Sequence, residues 1–73
     1  GRPGRAAALT PREFEVARLV AEGLTNRQIA ERLVLAPKTI SAHVEHILTK
    51  LGAARRAEIA AWCSEIVRVQ SKP

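Results

Sequence analysis

The pattern of aliphatic and polar positions is sharpest between Pro37 and Leu51. Ile40, Val44, Ile47, Leu48 and Leu51 recur at i, i+4, i+7, i+8 and i+11, a narrow stripe of a 3.6-residue helix that must face a core. Opposite the stripe stand Lys38, Ala42, Glu45, His46 and Thr49, with Ser41 on one flank and Thr39, His43 and Lys50 on the other. That face carries no aliphatic residue larger than alanine, so it is not built for burial in protein.

A shorter helix precedes it. Thr25 suits its N-cap and Gln28 its third position, a capping box, while Ile29, Ala30 and Leu33 share one side. The small Ala30 lets two helix backbones approach closely. Only Val34, Leu35 and Ala36 join the two helices, too short a link for antiparallel neighbours. The pair is therefore expected to cross at roughly 90 to 120°, as in a helix-turn-helix, with the motif spanning about residues 26–45. Pro37 suits the first position of the longer helix and Gly52 its end, whereas Ala36 is a poor cap that gives up about 1 kcal/mol against serine.

The flanks supply two more helices. Thr10, Pro11 and Glu13 form a second capping box with proline at the first position, and Leu9 is placed to staple onto Phe14. This helix is expected over 11–22, ending at a left-handed Gly23, with Val16, Ala17, Val20, Ala21 and Leu24 as its core stripe. Glu13 falls on the same stripe, which a capping and ion-pairing role explains better than catalysis. A last helix, about 55–69, carries Ile59, Trp62, Cys63, Ile66 and Val67 on one face. Residues 1–8, GRPGRAAA, read as a linker or flexible arm, with Arg2 and Arg5 as its charges; 70–73 read as a flexible tail. The linker-like start leads us to expect a domain that belongs to a longer protein. The whole is an all-α, compact four-helix domain containing a helix-turn-helix, over residues 9–69.

Composition narrows the function. Seventy-three residues allow one small domain, and a single cysteine allows no internal disulfide, so packing alone must stabilise it. No apolar run approaches a membrane span and no signal-peptide core is present, which points to a cytoplasmic setting. The net charge of +5 favours a polyanion partner. Segment 10–24 alone is net negative, which makes the first helix a support and not a contact surface.

Candidate chemistry is sparse. His43 and His46, three apart, invite a metal site with Cys63, but His46 points outward, Cys63 belongs to a core stripe, and no further ligand accompanies them. Cys63 reads as a small buried hydrophobe without a base to activate it, and Trp62 as core more than interface. Arg55 and Arg56 read equally as solvated surface or as phosphate contacts, while Arg27 and Lys38 lean towards contact because they neighbour the exposed helix. There are no paired acids, glycine-rich phosphate loop or triad spacing, so we expect neither an enzyme nor a cofactor. An exposed polar helix about 10–12 Å across on a helix-turn-helix corner fits the roughly 12 Å major groove of DNA, and the alternative to DNA binding is a protein-interaction module with a basic face, meeting an acidic partner such as a polymerase.

From Leu9 to Trp62 the chain closely resembles the DNA-binding domain of the LuxR family of bacterial transcription regulators, also found in GerE-like and NarL-like response regulators. The resemblance rests on Leu9-Thr10-x-Arg12-Glu13, Ala21-Glu22-Gly23-Leu24-Thr25-Asn26, Ile29-Ala30, Thr39-Ile40-x-x-His43-Val44 and Lys50-Leu51-Gly52. It implies four helices whose third enters the major groove of promoter DNA. It also implies homodimerisation through the fourth, here Ile59, Trp62, Cys63 and Ile66, and a regulatory domain ahead of this one. By position it implies backbone contacts from Thr39 and His43 and base reading by Ser41, Ala42 and Glu45. Thr25 and Asn26 lie against phosphate in this scheme, and Lys50 is a basic residue near the end of the recognition helix. With Arg27, Lys38 and His46 these make the expected DNA-binding set. Ser41 and Glu45 depart from the cations many members carry there. Ala36 stands for the usual capping serine and Ala17 for a common core leucine, which implies a less stable domain.

Overall fold

The computed structural model describes residues 9–71, with side chains placed through Ile66. Four α-helices follow one another: α1 Pro11–Ala21, α2 Asn26–Leu33, α3 Pro37–Leu51 and α4 Arg56–Ser71, with no strand among the described residues. The expected arm at 1–8 and the last two residues of the expected tail lie outside the described residues, as does the Val67 side chain. α4 itself begins one residue later and runs two residues further than its sequence pattern indicates.

The helix starts follow the local chemistry. Thr10 Oγ1 accepts from the Glu13 N–H at 3.1 Å, and Glu13 Oε1 accepts from the Thr10 N–H at 3.0 Å. Thr25 and Gln28 repeat the exchange at the head of α2, at 3.2 and 2.8 Å. At Ala36 no side chain caps α3, and Pro37 opens that helix with a residue that has no N–H to satisfy.

Three helix ends close in one way. The N–H of Leu24 donates to the Leu19 carbonyl, that of Leu35 to Ala30 and that of Ala53 to Leu48, at 3.2, 2.8 and 2.9 Å. Each wrap needs a left-handed residue just before the donor. Gly23 (φ 93°) and Gly52 (φ 66°) supply it, but in the turn between α2 and α3 the residue is Val34, at φ 58°. A β-branched side chain is costly in that conformation.

α1 touches all three other helices, and α4 packs mainly on it. That position explains why its buried arc is broader than a single stripe: Val16, Ala17, Leu19 and Val20 are sealed, together with Glu13. Leu19, absent from the expected stripe, is core, whereas Ala21, expected there, is exposed. Leu9 and Leu24 pack partly buried against the core. Phe14 meets the Trp62 ring edge-on, with centroids 5.9 Å apart and planes at 85°. Ile29, Ile40, Ile47 and Ile59 are fully sealed, each contributing about 1.5–3 kcal/mol relative to exposure. In a chain whose cysteine is free, this packing is what holds the helices together.

Candidate nucleic-acid interface

α3 is divided along its length. Ile40, Val44 and Ile47 are buried and Leu48 and Leu51 pack half-buried against the core, as the spacing predicts. Lys38, Thr39, Ser41, Ala42, Glu45, His46 and Thr49 are exposed. The free face is polar, 15 residues long from end to end of the helix, and held to the core from behind.

The residues expected to act together on this face are engaged differently. Thr49 turns its hydroxyl back to the Glu45 carbonyl at 3.0 Å, a bond within the helix. Ser41 Oγ instead accepts from Asn26 Nδ2 at 3.2 Å, which ties the head of α2 to the first turns of α3. His43 is half-buried, and its Nδ1 is sealed without a hydrogen-bond partner. Any outward contact from His43 must therefore use Nε2.

Lys50 and His46 converge on Glu13. The Lys50 ammonium lies 2.7 Å from Glu13 Oε1, and His46 Nδ1 lies 4.0 Å from Oε2. The Glu13 side chain is only 7% exposed. The hydrogen bond from Lys50, then the Thr10 N–H, hold its carboxyl below the usual range, outweighing the upward push of burial. Glu13 is thus both the capping acid of α1 and the anchor for the C-terminal half of α3. Lys50, placed at the interface by the sequence, spends part of its charge inside the domain.

Around α3, Thr25 stands exposed at the α2 N-terminus with its oxygen inside the capping box. Arg27 is solvent-facing, its Nε 4.0 Å from Glu31 Oε2. Arg55 is exposed, whereas Arg56 is half-buried. Its guanidinium donates from Nη1 to Asn26 Oδ1 at 2.5 Å and from Nη2 to the Leu24 carbonyl at 2.7 Å. Sequence reasoning left Arg56 open and could not find this clamp, because its partners lie 30 and 32 residues away.

The residues expected to pair two copies divide as well. Ile59 (0% exposed) and Cys63 (2%) sit inside the protomer and cannot reach a second one. The correction has a simple cause: α4 needs its most apolar line to cover α1. Trp62 and Ile66 remain half-buried. Burial also raises the Cys63 thiol pKa, the reverse of what a nucleophile needs. Among the described residues no three His, Cys, Asp or Glu side chains converge as metal ligands, and no helix is long and apolar enough to cross a membrane.

Comparison with known proteins gives the same picture. Over 62 residues, 85% of its length, the chain is 44% identical to the DNA-binding transcriptional activator DevR/DosR of Mycobacterium tuberculosis, covering 29% of that protein. It is 44% identical over 54 residues to the nitrate/nitrite response regulator protein NarL of Escherichia coli K12, covering 74% of this chain and 25% of NarL. The chain is 48% identical over 59 residues to the protein named "Putative HTH-type transcriptional regulator Mb0914c" of Mycobacterium bovis, covering 80% of this chain and 7% of that protein. The chain therefore spans less than a third of each of these relatives, whose names describe regulators. Residues 7–63, most of the sequence, match the family described as bacterial regulatory proteins, luxR family, and the chain belongs to that family.

Proposed function

We propose that this domain binds double-stranded DNA sequence-specifically as the output part of a bacterial transcription regulator, with α3 seated in the major groove. The observation that carries the reading is the division of α3: a core-anchored aliphatic side and an exposed polar side without large aliphatics. A helix about 10–12 Å across fits a groove about 12 Å wide. Phosphate contacts supply most of the affinity and come from Lys38, Arg27, Thr39, His43 and the α2 N-terminus at Thr25 and Asn26, whose first N–H groups lack intrahelical carbonyls. Ser41, Ala42, Glu45 and His46 face the base edges, and Lys50 adds charge at the far end.

Two copies pair through the outer side of α4 around Trp62 and Ile66, which places two α3 helices in successive grooves. The full-length regulator carries its sensing domain ahead of this one, works in the cytoplasm and meets RNA polymerase at the promoter. The test is selection from a random duplex pool, followed by anisotropy titration of the selected duplex between roughly 50 and 200 mM salt. A recovered consensus and a steep fall of affinity with salt support the reading. Recovery of no sequence above the unselected pool refutes it.

A further inference from the structure

Three side chains from three helices form one directed chain of hydrogen bonds. Arg56, the first residue of α4, donates to Asn26 Oδ1 at 2.5 Å, and Asn26 Nδ2 donates to Ser41 Oγ at 3.2 Å on the exposed face of α3. A guanidinium has donors and no acceptor, so the Asn26 atom it touches must be the oxygen. The amide nitrogen is thereby turned towards Ser41. The second Arg56 bond, to the Leu24 carbonyl at 2.7 Å, fixes the guanidinium from a second direction.

We infer that Arg56 is a positioning residue for sequence reading: through Asn26 it makes Ser41 an acceptor inward, so that the Ser41 hydroxyl is presented outward as a hydrogen-bond donor. This rests on the proposed seating of α3 in the major groove. A serine oxygen has one hydrogen and two lone pairs. With one lone pair committed to Asn26, the hydrogen is the group that gains most from a new partner. In the major groove guanine offers O6 and N7 and thymine offers O4, all acceptors, whereas cytosine offers only the N4 donor. Ser41 therefore selects guanine or thymine over cytosine at the strand position it meets. Neither Arg56 nor Asn26 needs to touch a base for this. The arginine is half-buried and its contacts are spent within the domain, so its effect on DNA is carried by polarity and not by charge.

Asn26→Asp is the decisive variant. Aspartate keeps the size of the side chain and an oxygen for Arg56, and is favourable at a helix N-terminus, so the fold is retained. Its second oxygen accepts where the amide donated. Ser41 must then turn its hydrogen inward and offer lone pairs to the DNA. The probe is a set of duplexes made from the sequence that wild-type protein selects, with every base pair substituted in turn, and the fold of each variant is checked by circular dichroism. Wild type is expected to disfavour cytosine at one position by about fivefold, the size of one net hydrogen bond. Asn26→Asp shifts the preference at that position towards cytosine. Arg56→Met flattens it with the salt slope unchanged, and Arg56→Lys, which keeps a donor-only head, restores it. If Asn26→Asp leaves the preference at every position as in wild type, the inference fails. It fails equally if Arg56→Met lowers affinity alike on all duplexes with a shallower salt slope, the mark of a phosphate contact. Should wild type select no sequence, it is the DNA-binding reading that falls, and this inference falls with it.

Discussion

The Lys50 ammonium meets the Glu13 carboxylate at 2.7 Å across a separation of 37 residues, joining the first turn of α1 to the last turn of α3. Glu13 is nearly sealed, and its pKa is lowered from 4.5 chiefly by that contact. A carboxylate with a depressed folded pKa adds stability that is complete above its ordinary value and is lost as the pH falls towards the folded one. We predict that Glu13→Gln lowers stability at pH 7 by about 1–3 kcal/mol and narrows the gap to wild type below pH 4.5. Urea titrations at both pH values measure this. A gap that stays constant across the range contradicts it.

On the exposed face, charge and specificity should separate. Lys38→Ala is expected to weaken binding to every duplex and to reduce the slope of log K against log salt by about 0.9. Glu45→Ala is expected to change the ranking of duplexes, most at positions bearing cytosine N4. Lys50→Ala is a less direct probe, since it also removes the 2.7 Å ion pair with Glu13 inside the domain. Anisotropy titrations on a substituted duplex set decide the matter, and a uniform loss for Glu45→Ala rules out base reading by that residue.

The uncapped start of α3 leaves room for improvement. Ala36→Ser supplies a side-chain acceptor where none exists and should raise stability by about 1 kcal/mol. A urea midpoint unchanged from wild type would show that the N-terminal N–H groups are already satisfied.

Val34 offers a second gain. It is left-handed, at φ 58°, and 87% exposed, so its side chain buries little to offset the conformation. Val34→Gly should stabilise the domain by up to about 1 kcal/mol, less the extra entropy glycine brings to the unfolded chain. A clear drop in melting temperature would show that the valine side chain contributes packing.

Cys63 should be silent in the folded protein. Its burial and raised pKa leave little thiolate, so a disulfide reagent at neutral pH is expected to modify it only after unfolding in urea. Rapid stoichiometric reaction in native buffer would place the thiol elsewhere.

What was legible in the sequence was what is local. Capping boxes three residues apart, prolines at first positions, glycines at helix ends and a stripe in α3 all depend on neighbours in the chain, and each stands where the pattern puts it. The helix-turn-helix and the exposed polar face follow from these. Long-range partners were not legible. Periodicity marks Glu13 as inward but does not name Lys50, and a pair of arginines in sequence gives no sign that Arg55 is solvated while Arg56 clamps Asn26. Ile59 and Cys63 could serve a core or a second copy equally well by pattern, and only the position of α1 beneath them decides it.

Glu13 and Phe14 are consecutive in the opening turn of α1, and they grip different neighbours: one holds Lys50 of α3, the other lies against Trp62 of α4. That turn works as a yoke. A small rotation there disturbs both neighbours at once, so a tug on the backbone around Leu9 reaches α3 and the closing helix together.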